Sequence, residues 1–234
     1  YRPSLGGNME YIITKNNRKP NNVIIDKPYN DSLEYDIEFI SLNKIDDNFI
    51  TICDWLLNQN DYRPFMYHQW KSMFHYANCV FTNPEKIEAY GVDGWGIYGI
   101  KATMKMDSSF LWKKTKNTFN TSSTKTFTLN NISELRGYTY PTLIIKTGST
   151  GGDITIQNVS DNNKLIVIKE TLPNDTITIS SYPRTITSLL SDKQTIYNNF
   201  NKSFPRLLQK TNSIGVVGDV TQLTYEYNEG KLLV

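Results

Sequence analysis

What this chain has little of sets the first limits. Its 234 residues include two cysteines and two histidines, and alanine occurs only at Ala77, Ala89 and Ala102. Cys53, on a helical stripe, and Cys79, in a strand pattern, make no disulfide framework and read most simply as buried free thiols. His68 and His75 have no cysteine or carboxylate beside them at ligand spacing, so no metal site is assigned. No Gly-x-Ser-x-Gly occurs, and so little histidine and cysteine leaves scant material for a nucleophile–base pair. Nothing singles out a pair of carboxylates, and Asp153, Glu170 and Asp175 read as solvated strand ends. No catalytic residue and no cofactor is therefore expected. The chain lacks a run of about 18 apolar residues, so no membrane span is expected. A formal net charge of +2 is too small for the concentrated basic face that nucleic acid requires.

What is present describes an ordinary globular protein, 38% hydrophobic and 21% charged, long enough for one large domain or two modest ones. Isoleucine, lysine, asparagine, threonine and tyrosine are heavily used, the bias of an AT-rich genome. Chance therefore explains the Asn-x-Ser/Thr triplets at Asn30, Asn120, Asn131, Asn158, Asn174 and Asn201 better than glycosylation does. The N-terminus, Tyr1-Arg2-Pro3-Ser4, has no Met and no signal-peptide pattern, and reads as the trimmed start of something longer.

The first half is organised around Leu33 to Trp70. Leu33, Tyr35, Ile37 and Phe39 alternate with Glu34, Asp36 and Glu38, the period of a half-buried strand. Ile45, Phe49, Ile52, Cys53, Leu56 and Leu57 then fall three and four apart, one stripe of a helix over 44–58 with Asn43 as its N-cap. Asn83-Pro84 is expected to break the strand that follows. Tyr98, Ile100, Ala102, Met104 and Met106 alternate with Gly99, Lys101, Thr103 and Lys105. Antiparallel pairing of this strand with 33–39 would set bases opposite acids and turn both apolar rows toward the helix.

Gly94-Trp95-Gly96-Ile97-Tyr98-Gly99 matches G-x-G-x-x-G, but a dinucleotide site needs a helix after those glycines. The residues that follow have period 2, so a turn and a bulge are the better reading. Tyr62, Phe65, Tyr67, Trp70, Phe74 and Tyr76 crowd a short stretch that is apolar at every phase. Its composition suits a buried interface centre as well as a domain core.

After Trp112 the polar stretch 113–124 reads as a linker between an N-terminal domain, 1–112, and a C-terminal one, 125–234. Strand signals then recur at Thr126–Leu129, Thr142–Lys146, Ile154–Val159, Leu165–Lys169, Thr176–Ser180, Thr185–Leu189, Ser213–Val217 and Leu223–Tyr227. Turn clusters separate them, no helical period is convincing, and the pattern implies an antiparallel β-sandwich.

In this order the chain resembles the distal tail (Dit) proteins of long-tailed bacteriophages. The strand, the helix ending in Trp55-Leu56-Leu57 and the aromatic strands leading to Gly94–Met106 are similar to the family's ring-forming N-terminal domain. Tyr140-Pro141-Thr142-Leu143-Ile144-Ile145, Ile154-Thr155-Ile156-Gln157-Asn158, Phe204-Pro205-Arg206-Leu207-Leu208, Asn212-Ser213-Ile214-Gly215 and Leu223-Thr224-Tyr225-Glu226-Tyr227 resemble its C-terminal sandwich. Family members usually begin with an earlier strand that is absent or shortened here. The resemblance implies a mainly β protein: a sandwich or barrel-like N-terminal domain with one helix, then a galectin-like or carbohydrate-module-like sandwich. It also implies a hexameric ring at the phage tail tip, assembled in the bacterial cytoplasm. That ring would bind tail tube protein on one side and the tail-tip protein, with or without a receptor-binding protein, on the other. The competing reading is a binding module that holds host glycans on aromatics such as Tyr182, Tyr197 or Phe200 of the second domain.

Overall fold

The computed structural model describes residues 33–59, 61–66, 75–121 and 125–232, with the paired short strands β1 (Ile13–Lys15) and β2 (Val23–Ile25). The chain forms two compact units that divide between Trp112 and Lys113.

The first unit holds β3 (Glu34–Ile40), a 3-10 turn (Asp46–Asn48), α1 (Phe49–Leu57), β4 (Arg63–Phe65), β5 (Ala77–Gly91) and β6 (Gly94–Met106). Its antiparallel sheet has the order β3-β6-β5-β4. β3 and β6 pair in the register read from their charges, with Glu34 opposite Lys105, Ile37 opposite Ala102 and Glu38 opposite Lys101. Ala102, Met104 and Met106 are buried with Leu56 of α1, and Tyr35, Ile37 and Phe39 pack against that cluster. One helix face thus caps one sheet face.

The helix begins later than its apolar stripe suggests. Ile45 donates its N–H to the Ile97 carbonyl at 2.9 Å, and the Asp46 carboxylate accepts the Ile97 N–H at 2.6 Å. Both bonds tie the segment to β6 instead of opening a helix. Asn43 is not the N-cap: its N–H donates to Ser41 Oγ, and α1 follows Asn48. Nor does Asn83-Pro84 end a strand. β5 runs through it with a register shift between Thr82 and Glu85 and a left-handed Asn83 (φ 53°), a bulge that accommodates the proline's missing donor. The glycine-rich stretch opens β6, as its period requires. Gly94 (φ +85°) closes the turn, and a Cβ on Gly99 would lie 2.5 Å from the Phe39 carbonyl oxygen.

The second unit contains β7 (Phe110–Asn120), whose first residues belong to the first unit, then β8 (Thr126–Asn131), β9 (Tyr138–Thr139), β10 (Thr142–Thr147), β11 (Gly152–Asn158), β12 (Lys164–Thr171), β13 (Thr176–Ser181) and β14 (Arg184–Ser188). A short helix, α2 (Lys193–Asn198), precedes β15 (Leu207–Leu208), β16 (Lys210–Val217) and β17 (Val220–Leu232). A five-stranded sheet, β14-β13-β10-β17-β7, and a four-stranded one, β12-β11-β16-β8, share a core. Leu143, Ile145, Ile177, Ile179, Leu223 and Tyr225 enter it from the first, and Ile154, Ile156, Ile168 and Ile214 from the second. This is the mainly β, antiparallel sandwich expected.

Two expectations fail here. Residues 113–120 are not a linker but the length of β7 that borders β17. Asp175 is not a solvated strand end: it is 1% exposed and accepts four hydrogen bonds. The short helix α2 was also not signalled by periodicity. Asp192 caps it through the N–H groups of Gln194 and Thr195, and Ile196 is its one buried residue.

Candidate interaction surfaces

Of the six aromatic residues expected at an interface, Tyr67, Trp70 and Phe74 lie outside the described residues. Tyr62 stands half exposed beside the edge strand β4. Phe65 packs against the first unit's core, its ring edge-on to Phe81 at 5.5 Å. Tyr76 exchanges both backbone hydrogen bonds with Trp112, at 2.8 and 2.7 Å. Burial, helped by the charge of Asp107, pushes its hydroxyl above the usual tyrosine range. Among the described three, only Tyr62 is a surface residue.

The first unit's sheet turns one face away from α1. At one end it is a charged ladder. Lys105 reaches Glu34 at 2.9 Å, Lys101 reaches Asp36 at 3.3 Å, and Thr103 donates to Asp36 at 3.3 Å. The hydrogen bond to Asp36, with the charges of Asp36 and Glu85, holds the Lys101 ammonium above its ordinary range. Toward the β5–β6 turn several apolar side chains are exposed. Ile40 continues the row of Glu34, Asp36 and Glu38 and is exposed. Tyr90 and Trp95 sit opposite each other and are 81% and 63% exposed; they are in phase with Lys86, which lies over the Phe49 ring of α1, and so on the opposite face from the ladder, while Val92 is exposed in the turn. Leu42, just beyond β3, is exposed as well. The sequence carried a signal for the first of these: Ile40 falls on the polar phase of β3, where Glu34, Asp36 and Glu38 precede it.

In the second unit a groove of about 660 Å³ crosses one end of the five-stranded sheet. Thr142 and Glu226 are cross-strand partners on its floor, and Glu226 pairs with Lys116 at 2.9 Å. Tyr138, Tyr140 and Tyr182 line its sides. Tyr138 is held from behind. The Arg206 guanidinium lies 4.0 Å from its ring centroid and grips the buried Asp161 at 2.6 and 3.1 Å, and the Tyr138 hydroxyl donates to Asp161 at 3.4 Å. That carboxylate pair holds the guanidinium above even its ordinary high range.

The three aromatics considered for glycan contact fare differently. Tyr182 lines the groove and is 91% exposed, whereas Tyr197 stands apart from it, beneath the Lys202 ammonium at 5.0 Å. Phe200 is a core residue at 2% exposure, edge-on to Phe204. Tyr140, unremarked in that role, is the second exposed ring of the groove. Among the described residues no group of three or more His, Cys, Asp or Glu side chains could hold a metal ion, and no helix is long and apolar enough to cross a membrane.

Residues 110–227 match the model of the phage tail C-terminal domain, and the chain belongs to that family. The fold is of the distal-tail type. It is similar to the Dit protein of phage SPP1 with a TM-score of 0.64 and 8% identity, over 97% of this chain and 90% of that one. A chain of the phage P2 baseplate in its Ca-activated conformation also aligns, at a TM-score of 0.48 and 13% identity, over 100% of this chain and 91% of that one. No curated protein matches the sequence.

Proposed function

We propose that this chain is a structural hub of a phage tail tip, whose copies close into a hexameric ring between the tail tube and the tail-tip adsorption apparatus. The observation that carries the reading is likeness along nearly the whole chain to SPP1 Dit, described as a paradigm of the hub adsorption apparatus in phages that infect Gram-positive bacteria. In this role the protein works by assembly and not by catalysis. Its partners are tail tube protein on one face and tail-tip protein, with or without a receptor-binding protein, on the other. It belongs to the virion and is assembled in the host cytoplasm.

A ring needs two different, mutually complementary patches on each copy. The first unit's sheet offers two ends to serve as them. One is the β3 side, with the exposed Ile40 and Leu42, and the exposed Tyr90 and Trp95 lie toward the β5–β6 turn. The other is the β4 side, beside which Tyr62 stands half exposed. Light scattering and native mass spectrometry of the purified chain test the reading, with the expected particle six times 27.0 kDa. The pair of substitutions Ile40→Asp and Trp95→Ala should shift it toward monomer with unchanged circular dichroism, because losing an aromatic anchor costs about 2 kcal/mol or more of association. A chain that stays monomeric at every concentration, and fails to enter tails in a complementation assay, would sink the proposal.

A further inference from the structure

The groove between β7, β17, β10 and the Tyr182 turn is built more fully than an assembly role requires. We propose that it is a saccharide-binding site, in which Tyr140 and Tyr182 stack on sugar rings while Thr142, Glu226 and Asn228 meet their hydroxyls.

Exposed tyrosine is the first ground. Tyr182 is 91% and Tyr140 59% exposed, and both rings border the same groove. A ring face carries partial negative charge, which attracts the apolar, electropositive C–H face of a pyranose, while the tyrosine hydroxyl stays in water. The groove floor is the second. Thr142 and Asn228 can each donate and accept, and the Glu226 carboxylate accepts, a mixture that suits a ligand whose hydroxyls also do both. Its volume of about 660 Å³ lies within the roughly 300–1,000 Å³ of small-ligand sites, room for a short oligosaccharide.

Rigidity is the third ground. The segment carrying Tyr138 and Tyr140 is fixed at three points. Tyr138 is clamped by Arg206 and Asp161, and β9 pairs with β15 through Thr139 and Leu207. The buried Thr139 hydroxyl accepts from Asn131 Nδ2 at 2.9 Å. A site already in shape loses little freedom on binding.

Other occupants fit less well. A protein hot spot has a centre depleted of charge, whereas this floor carries Lys116 and Glu226. A polyanion needs several free cations, and the pairing of Lys116 with Glu226 leaves Lys114 alone on that side. The inference is independent of the ring, because every residue it uses belongs to the second unit.

The test uses the full chain on an array of immobilised neutral oligosaccharides built from hexoses, N-acetylhexosamines and 6-deoxyhexoses, followed by calorimetry with each bound probe. Tyr182→Ala and Tyr140→Ala should each weaken binding by about tenfold or more, as expected for loss of a stacking face. Thr187→Ala, at an exposed position of β14 away from the groove, should leave it unchanged. Oligomer mass should be the same in all three variants, which separates a failure of this site from a failure of the ring. Three results overturn the proposal: no probe is bound by the parent chain, the tyrosine variants bind as well as the parent, or binding is limited to acidic chains and vanishes in high salt.

Discussion

Asp175 shows how much one side chain can organise. Its carboxylate accepts the Thr176 N–H at 2.7 Å, the Leu189 and Leu190 N–H groups at 3.1 and 3.2 Å, and the Ser188 hydroxyl at 2.6 Å. It thereby stitches the start of β13 to the end of β14. Asp175→Ala would strand several donors in a buried place, at a cost of about 3 kcal/mol read from the urea midpoint. Asp153→Asn, which keeps an oxygen for the Glu170 N–H, should cost less than about 0.5 kcal/mol. An equal loss in both variants would contradict this reading of Asp175. Sequence could not distinguish the two acids, because three of the four donors of Asp175 arrive from more than ten residues away. Cys79 poses a second case. Burial, reinforced by the charge of Asp107, pushes its thiol from an ordinary 9.0 to about 12. The folded chain keeps a proton that the unfolded chain gives up above about pH 9, so stability falls as pH rises from there toward 12. The slope is about 1.4 kcal/mol per unit for one such group. Cys79→Ala should reduce that loss between about pH 9 and 10, below the ordinary tyrosine value of 10.0 from which burial raises Tyr35 and Tyr76, leaving the smaller share of Cys53, whose thiol burial also raises from 9.0. Urea midpoints at pH 8, 9 and 10 check it, and an unchanged slope in the variant removes Cys79 as its source.

At the scale of elements, what could be read depended on where side-chain contrast lay. β3 and β6 were legible together because each alternates apolar with charged residues, and the charges of one complement those of the other. The apolar rows fix which face is inward, and the charges then fix register more than they add stability. β7 was illegible for the opposite reason. Its exposed positions are Lys114, Lys116, Thr118 and Asn120, but Thr115 and Asn117 between them are also polar. Hydrogen bonds replace hydrophobic contrast there. Asn117 donates to the Tyr227 hydroxyl at 3.2 Å, and Thr118 and Thr224 hydroxyls meet at 3.1 Å. The groove was hidden because its residues come from four separated segments, whereas the Dit-type order of strands was visible along the chain. The charged ladder makes its own prediction. Lys101→Glu would place a fourth acid beside Asp36, Glu38 and Glu85. The thermal midpoint should fall at low salt and recover substantially in 0.5 M NaCl, since exposed charges are screened within about 10 Å at 0.1 M. A loss that salt does not relieve would mean that Lys101 matters through its packed methylenes instead.

For the whole molecule, the division of the core matters most. Most buried apolar residues among those described fall into two clusters. One draws on Leu56, Ala77, Cys79, Phe81, Ala102, Met104, Met106 and Leu111, the other on residues from Leu129 to Tyr227. β7 belongs to both units, since Trp112 bridges to Tyr76 while its later residues pair in the five-stranded sheet. Cooperativity in unfolding follows shared buried surface more than chain continuity. Calorimetry of the chain should therefore show two transitions. Asp175→Ala should lower one, by about 4 °C for each kcal/mol lost, and leave the other in place. Ala102→Asp, which buries a charge in the first cluster, should abolish or lower the other alone. A fragment from residue 110 to 232 should retain the Asp175-sensitive transition. That fragment begins where the match to the phage tail C-terminal domain begins. If instead the chain melts once, and both substitutions move that single transition together, the two clusters are one cooperative body. The groove could then not be separated from the first unit by truncation.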